Sequence, residues 1–378
     1  MRRARIATIR RGVSLGTRVN NEIDSMSANP SLLFPQDVLS ADDSAATATA
    51  RSGARPAQCE IRRGEMALPE AFLLESGEIL ANAKLAWQCV GPADAPLIVV
   101  LGGISAHRRP SDDVGKGWWQ AQCGAGKALD TDRYRLLGID WLGGCDDSTG
   151  PRSSGQSDFP LVSTADQARA LLQLLNRLGV RRVHLLVGAS YGGNVAQQLA
   201  ALLGERLRRL VLLSAAHRPA QFGLALRHVQ RAILDLGGDR TQALALARSL
   251  AVLGYRTPES LEQRFGAAQE TAPADGVTGW IDHHGAAFVR RFDAEAYRCL
   301  GRSLDAHEVD PATITAPTTL FAVRDDLTVP VSLLREYATL AGAGCELVEI
   351  DSLYGHDAFH KEEGAVAALL RAALEVAP

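Results

Sequence analysis

A serine flanked by glycines lies at residues 188–192, where the sequence reads Gly-Ala-Ser-Tyr-Gly. An apolar run at 183–187 precedes it, and an apolar stretch typical of a helix follows it. This context is typical of a nucleophile elbow, whose sharp turn needs small residues two positions before and after the serine. The turn would hold the hydroxyl at a helix N-terminus, where the helix dipole and free N–H groups stabilise an oxyanion. We therefore predict that Ser190 is a catalytic nucleophile.

A serine hydroxyl becomes a good nucleophile only when a base removes its proton, so the elbow predicts an acid and then a histidine later in the chain. Two adjacent carboxyl groups, Asp325 and Asp326, follow the β-rich run at 318–323. His356 follows the next such run, at 345–350. This order predicts that His356 is the base and that one of the two aspartates orients it.

Only one of the two adjacent aspartates can face the imidazole, because successive residues that leave a strand point in different directions. We expect Asp325 to be the orienting acid, since it comes first after the strand and still lies at its edge. Asp326 would then be solvated or would cap the following turn.

A double glycine, Gly102 and Gly103, directly follows the apolar run at 97–101. In this type of site, the loop after an early strand supplies the second oxyanion donor. We expect the backbone N–H groups of Ile104 and Tyr191 to form the oxyanion hole. A tight turn without a chemical role is the alternative explanation of the two glycines.

The composition fits a large α/β core with a smaller inserted unit, since 46% of the 378 residues are hydrophobic. A net charge of −3 and the lack of a basic stripe argue against a nucleic-acid partner. The six cysteines are scattered without metal-ligand spacing, so we expect no metal, and reduced thiols in a cytoplasmic protein. No apolar run approaches the roughly 18 residues that cross a bilayer, so no membrane anchor is expected.

Apolar runs that alternate with helical patterns predict a mainly parallel sheet with helices on both faces, over residues 61–215 and 307–378. The predicted strands are an antiparallel pair at 72–74 and 83–88, then 97–101, 134–139, 183–187, 210–213, 318–323 and 345–350, with a helix at 166–178. Only helical patterns occur between 216 and 306. We predict that this segment is a helical cap over the site.

The first 60 residues differ in composition from the rest of the chain. Residues 1–20 contain six arginines and no acidic residue, and residues 40–57 show no apolar periodicity. Such a segment cannot bury enough apolar surface to offset its ordering entropy, so we predict a disordered extension. It fits an extended tail, a start site assigned too early with Met26 as the true start, or a mitochondrial transit peptide.

Several longer motifs stand out in the chain: Gly-Gly-Ile-Ser-Ala at 102–106, Gly-Trp-Trp at 117–119, Gly-Ile-Asp-Trp-Leu-Gly-Gly at 138–144, Gly-Ala-Ser-Tyr-Gly-Gly at 188–193, Val-Arg-Arg-Phe-Asp-Ala-Glu-Ala-Tyr at 289–297 and Leu-Tyr-Gly-His-Asp-Ala-Phe at 353–359. Together they resemble the homoserine O-acyltransferase family, which belongs to the α/β-hydrolase superfamily. The resemblance implies an α/β-hydrolase fold with a helical cap, a homodimer, and a role in methionine biosynthesis. The implied reaction moves an acyl group from an acyl-CoA, a substrate and not a resident cofactor, to the hydroxyl of homoserine through an acyl-serine. The resemblance also favours Asp325, since the family's acid is followed by x-Leu and, five residues on, by proline.

Within the family, the chain resembles the succinyltransferase branch more than the acetyltransferases. The resemblance implies that the acyl-CoA specificity positions include Gly102, Gly103, Ile104 and Ser105. A succinyl group carries a terminal carboxylate, which in a closed pocket needs a cation. Arg227 and Arg231 stand four residues apart on one predicted cap helix, so both can face the site. The resemblance favours Arg227 as the partner, and a solvated helix residue is the alternative.

By the same resemblance, Arg248 and Tyr255 would hold the carboxylate of homoserine, and Asp357 would hold its ammonium group. Charge complementarity makes each of these assignments chemically sensible. The chain departs from the family in its long N-terminal extension and in Asn194, where an apolar residue is more usual.

Three functional hypotheses follow from the sequence. The first is a homoserine O-succinyltransferase. The second keeps the reaction but uses an acetyl donor, or serine as the acceptor, because a methylene in a pocket changes binding by only about 1–3 kcal/mol. The third is a hydrolase of small esters, since a triad alone does not distinguish water from an alcohol as acceptor.

Overall fold

The computed structural model describes residues 6–8, 60–112, 115–154, 159–266 and 276–375. The strands in these ranges are β1 (Ile6–Thr8), β2 (Glu60–Ala67), β3 (Ala71–Leu73), β4 (Ile79–Ala81), β5 (Lys84–Gly91), β6 (Leu97–Leu101), β7 (Cys123–Gly124), β8 (Leu129–Asp130), β9 (Arg135–Ile139), β10 (Leu185–Ala189), β11 (Leu210–Leu213), β12 (Thr318–Val323) and β13 (Cys345–Ile350). The helices are α1 (Pro151–Ser154), α2 (Thr164–Arg177), α3 (Tyr191–Leu203), α4 (Gln221–Asp235), α5 (Arg240–Tyr255), α6 (Pro258–Phe265), α7 (Gly276–Val289), α8 (Ala294–Asp305), α9 (Val331–Ala341), α10 (Ala358–Lys361) and α11 (Glu363–Glu375).

Nine of these strands form one sheet in the order β1-β13-β12-β11-β10-β6-β9-β5-β2. The pairs β9–β5 and β5–β2 are antiparallel, and the other neighbours are parallel. The four strands β6, β10, β11 and β12 are buried along their whole length, which explains why none of them contains a charged residue. The predicted mainly parallel sheet is confirmed. Because parallel strands end at the same edge, the loops that follow them meet there and can build a site.

The predicted pairing of 72–74 with 83–88 is wrong. β3 pairs with β4 instead, and β5 pairs in full register with β2. A tight turn causes the difference: Gly77 has φ 85°, and its N–H donates a hydrogen bond to the Leu74 carbonyl. That turn folds the chain back on β3 only a few residues later, so β5 is left to pair with β2.

The prediction of disorder for residues 1–60 is wrong at four positions. Ile6–Thr8 form the edge strand β1, which pairs in parallel with β13, and Glu60 begins β2. Without β1, the strand β13 would present unpaired backbone N–H and C=O groups at the edge of the sheet, and these are a template for a further strand. The remaining positions of the predicted extension, 1–5 and 9–59, lie outside the described residues.

The chain between β11 and β12 forms α4–α8, and the described residues there contain no strand. Helix α5 packs against α4 and α7, and α8 contacts α4 and α5. Residues 267–275, within this segment, lie outside the described residues. None of the helices in the described ranges combines the length and apolarity that a bilayer-crossing segment requires.

Candidate active site

Ser190 occupies a tight turn between β10 and α3, with φ 52° and ψ −122°. Its N–H donates a 2.9 Å hydrogen bond to the Leu213 carbonyl, and the Gly192 N–H donates a 2.8 Å bond to the Gly102 carbonyl. A Cβ atom at Gly188 would lie 2.5 Å from the Gly192 carbonyl oxygen, and one at Gly192 would lie 2.6 Å from that of Gly102. Both positions therefore need glycine, and hydrogen bonds from two directions hold the strained serine in place.

His356 joins Ser190 and Asp326 in one hydrogen-bonded chain. Its Nε2 lies 2.8 Å from Ser190 Oγ, and its Nδ1 lies 2.6 Å from Asp326 Oδ2. The other carboxylate oxygen, Asp326 Oδ1, accepts hydrogen bonds from the backbone N–H groups of Thr328 at 2.9 Å and Val329 at 2.8 Å. With both oxygens occupied, Asp326 holds the ring so that Nε2 can take the serine proton.

The expectation that Asp325 is the acid is therefore wrong, and Asp326 takes that position. The chain does not leave β12 in an extended form but turns back, with the Asp326 N–H donating to the Val323 carbonyl at 3.2 Å. This turn points the second aspartate inward, where it is 3% exposed, and leaves Asp325 exposed to solvent. Asp326 also binds the N–H groups of the following turn, so it combines the two roles that were expected of separate residues.

The protonation of His356 reflects two opposed effects. Burial lowers the pKa of the imidazole, because an apolar environment disfavours the charged ring. The Asp326 carboxylate raises it through its charge and its hydrogen bond, and the net pKa is above the ordinary value. The site therefore stabilises the imidazolium that forms when the serine loses its proton.

The two predicted oxyanion donors lie at the same edge of the sheet. No acceptor contacts the backbone N–H of Ile104 or that of Tyr191 within the part of the chain that the structure describes. The Tyr191 side chain is buried. Its hydroxyl accepts a hydrogen bond from Gln167 Nε2 at 3.2 Å and lies 2.9 Å from Ser303 Oγ, and burial raises the pKa of the phenol. Its side chain thus serves packing, while its N–H stays available at the start of α3. The oxyanion role of both groups stays a prediction.

A cavity lies beside the triad, between the sheet edge and helices α4, α5 and α8. It is lined by Ile104, Ser190, Asn194, Ser214, Gly223, Leu226, Arg227, Gln230, Arg231, Tyr255, Tyr297, Gly301, Leu304, Thr328, Val329 and His356. Of the four predicted specificity positions at 102–105, only Ile104 belongs to this lining; Gly102, Gly103 and Ser105 do not. At Gly102 the space toward Trp118 is already filled, since a Cβ atom would lie 2.7 Å from that ring.

Arg227 and Arg231 face the cavity, but neither is an isolated cation. Arg227 Nε is ion-paired with Asp305, and Arg231 Nη1 lies 2.6 Å from the other oxygen of the same carboxylate. The Arg227 side chain is only 16% exposed, so the alternative of a solvated residue is wrong. Two guanidinium groups share one carboxylate, which leaves one net positive charge at the cavity wall. No sequence signal indicated Asp305, because it lies on a different helix, α8.

Arg248 lies close to the catalytic histidine and is 7% exposed. Its guanidinium packs on the ring of Phe288, at 4.7 Å from the centroid, and on that of Tyr255, at 5.4 Å. The Tyr255 ring in turn lies 5.5 Å from the His356 ring. Among the described residues, no carboxylate pairs with Arg248. A buried cation therefore stands one aromatic ring away from the triad and can bind an anionic group of a ligand.

Asp357 already has a protein partner, Arg256, which the sequence did not indicate. Arg256 Nε lies 3.0 Å from Asp357 Oδ2, and its guanidinium packs over the rings of Trp280 and Tyr354. A ligand ammonium group at Asp357 would share the carboxylate with this arginine. The binding roles predicted for Arg248, Tyr255 and Asp357 stay predictions. The described residues contain no group of three or more histidines, cysteines or acidic residues that could hold a metal ion.

Comparisons with known proteins agree with this architecture. The alpha/beta hydrolase fold family model matches residues 96–363. The chain is 39% identical over 300 residues to a homoserine O-succinyltransferase of Xanthomonas campestris, covering 77% of this chain and 79% of the relative. It is 36% identical over 346 residues to a homoserine O-acetyltransferase of Symbiobacterium thermophilum, covering 79% and 90%. A crystal structure of a homoserine O-acetyltransferase from Staphylococcus aureus superposes with a TM-score of 0.74 at 24% identity, covering 84% of this chain and 97% of that one, and confirms the fold.

Proposed function

Because the chain belongs to the homoserine O-acyltransferase family of α/β hydrolases, we propose that it transfers an acyl group from an acyl-CoA to the hydroxyl of L-homoserine. The observation that carries this proposal is the buried, unpaired cation of Arg248 beside the triad. Hydrolysis of a small ester needs no such group, whereas an amino-acid acceptor brings a carboxylate that pairs with it.

The first half-reaction acylates the serine. His356 Nε2 takes the Ser190 Oγ proton while Oγ attacks the thioester carbonyl carbon. The N–H groups of Ile104 and Tyr191 stabilise the negative charge that develops on the carbonyl oxygen. The carbon–sulfur bond then breaks, and the proton on His356 passes to the leaving sulfur, which gives free CoA and an acyl-serine.

The second half-reaction transfers the acyl group to the acceptor. Arg248 and Tyr255 hold the carboxylate of homoserine, and Asp357 holds its ammonium group. His356 takes the proton of the homoserine hydroxyl while that oxygen attacks the acyl carbon. The bond to Ser190 Oγ breaks, and the proton returns from His356 to the serine.

For the donor, we propose succinyl-CoA, and acetyl-CoA is the alternative. The net positive charge that Arg227, Arg231 and Asp305 leave at the cavity wall supports a donor with a terminal carboxylate. The similarity to a succinyltransferase supports the same choice, although several similar relatives are acetyltransferases. In this function the protein would act in methionine biosynthesis.

A free-thiol assay tests the proposed function. Succinyl-CoA and acetyl-CoA are each combined with homoserine, with serine, or with no acceptor, and the products are identified by mass spectrometry. We expect CoA release with succinyl-CoA to depend on homoserine, and the donor alone to add one acyl mass to the peptide that carries Ser190. Equal release without any acceptor would instead make the protein a hydrolase.

The donor specificity can be tested at Arg227. Arg227→Leu is expected to lower kcat/KM for succinyl-CoA roughly tenfold to a hundredfold, since a lost charged hydrogen bond changes binding by about 1.5–3 kcal/mol. Acetyl-CoA has no carboxylate, so its kcat/KM should hold or rise. Asp305 keeps its ion pair with Arg231, so the fold should survive. An equal fall with both donors would contradict a role in donor choice.

The raised pKa of His356 predicts the pH dependence of acylation. The base must be neutral to accept the serine proton, so kcat/KM for the donor should fall as the pH drops through the pKa of His356. Because Asp326 raises that pKa, the half-maximal point should lie above the ordinary histidine value. The profile is measured under stopped-flow conditions by CoA release. A half-maximal point below that of free histidine would contradict the assignment.

A further inference from the structure

Asn194 places a polar side chain in the cavity beside the nucleophile. It lies four residues after Ser190 on α3, so one helical turn brings it to the same face of the helix. Its side chain lines the cavity, is 9% exposed, and has no hydrogen-bond partner among the described residues. The amide is therefore available to donate a hydrogen bond to a ligand that enters the cavity.

Ser214 places a second unpaired polar group in the same cavity. It follows β11 with φ 49°, a conformation that glycine adopts more easily than serine, and its N–H donates to the Phe321 carbonyl at 3.0 Å. The residue is 0% exposed, and its Oγ has no partner among the described residues. The backbone thus holds a buried hydroxyl at the cavity wall without giving it a protein acceptor.

The charges around these two groups indicate what they bind. Arg227 and Arg231 share the single carboxylate of Asp305, so the wall of the cavity favours an anion. A carboxylate presents about four lone-pair sites, which one guanidinium fork does not fill. The amide of Asn194 and the hydroxyl of Ser214 are neutral donors that can fill the remaining sites. Gln230 also lines the cavity, and its carbonyl oxygen accepts a hydrogen bond from the Tyr297 hydroxyl at 3.0 Å.

We propose that Asn194 and Ser214 are specificity residues that bind the far carboxylate of a dicarboxylic acyl group, together with Arg227. This inference rests on the proposed function and extends it, because it names the groups that select a donor with a charged end. Both side chains would act when the thioester enters and while the acyl group stays on Ser190. Neither takes part in bond making or proton transfer.

The test compares a charged donor with a neutral donor of the same number of acyl carbons, succinyl-CoA and butyryl-CoA. Asn194→Leu and Ser214→Ala are each expected to lower kcat/KM for succinyl-CoA about tenfold, and the double variant about a hundredfold. With butyryl-CoA, kcat/KM should stay the same or rise. Ser214→Gly removes the same hydroxyl and relieves the backbone strain, so it serves as a second variant if Ser214→Ala folds poorly.

The matched control is Gln198→Leu, on the same helix but outside the cavity lining, where the side chain donates to the Glu308 carbonyl. This substitution should leave the ratio of kcat/KM for succinyl-CoA to kcat/KM for butyryl-CoA unchanged. An equal fall with both donors in the Asn194 and Ser214 variants, or no change with either, would overturn the inference. A wild-type protein that transfers only acetyl groups would overturn it too, while leaving acyl transfer intact. Failure of every donor to acylate Ser190 would instead refute the proposed function.

Discussion

Asp326→Asn is expected to lower kcat about 10⁴-fold, the size of effect seen when the orienting acid of a serine triad becomes an amide. The Thr328 and Val329 N–H groups bind one oxygen of Asp326, so an asparagine would keep its own oxygen there. Its NH₂ group would then face His356 Nδ1 and force the ring proton onto Nε2. A protonated Nε2 cannot accept the proton of Ser190, so both half-reactions should slow together.

Asp325→Asn is the matched control, since it makes the same chemical change one residue away at an exposed position. Its kcat should stay within about twofold of the wild type, as expected for a surface change far from special features. Steady-state CoA release gives both values, and circular dichroism confirms that each variant is folded. A large loss of kcat in Asp325→Asn, with little change in Asp326→Asn, would show that Asp325 is the acid that orients His356.

Arg248→Met is expected to lower kcat/KM for homoserine by roughly 30-fold to 4,000-fold, because losing one partner of a buried charge pair costs about 2–5 kcal/mol. The methionine still packs on Phe288 and Tyr255. The acylation half-reaction does not involve the acceptor, so kcat/KM for the acyl donor should be unchanged. Varying both substrates in a steady-state assay separates the two constants.

Arg240→Met provides the control for this substitution. Arg240 begins the same helix, α5, but its side chain is 78% exposed and forms a surface ion pair with Glu295. Exposed ion pairs contribute little to stability, so kcat/KM for homoserine and kcat/KM for the acyl donor should each change by no more than a small factor. Should Arg248→Met lower kcat/KM for donor and acceptor equally, the arginine would support the packing of helices α4–α8 and would not bind the acceptor.

Features that depend on neighbours in the chain were predictable from the sequence. The bounds expected for 97–101, 210–213, 318–323 and 345–350 agree with β6, β11, β12 and β13. The strands β6, β11 and β12 are buried on both faces and therefore contain no charged residue, whereas β13 keeps an exposed Glu346. The elbow around Ser190 was equally clear, since the strand, the short turn and the helix follow one another directly and Gly188 is required by atoms of Gly192, only four residues away. The need for glycine at 192 comes from the distant backbone of Gly102. His356 followed from the order of strands alone.

Features that depend on distant parts of the chain were decided by the tertiary structure. The choice between Asp325 and Asp326 depended on a backbone turn whose direction neither residue type determines. The sharing of Asp305 by two arginines joins α4 to α8, which are far apart in sequence. The pairing of Arg256 with Asp357 likewise joins the end of α5 to the distant turn that carries His356. Local sequence thus determined which elements form and where the nucleophile stands. Only the packing of those elements decided which charges face each other, because a side chain's electrostatic partner is set by distance in space and not along the chain.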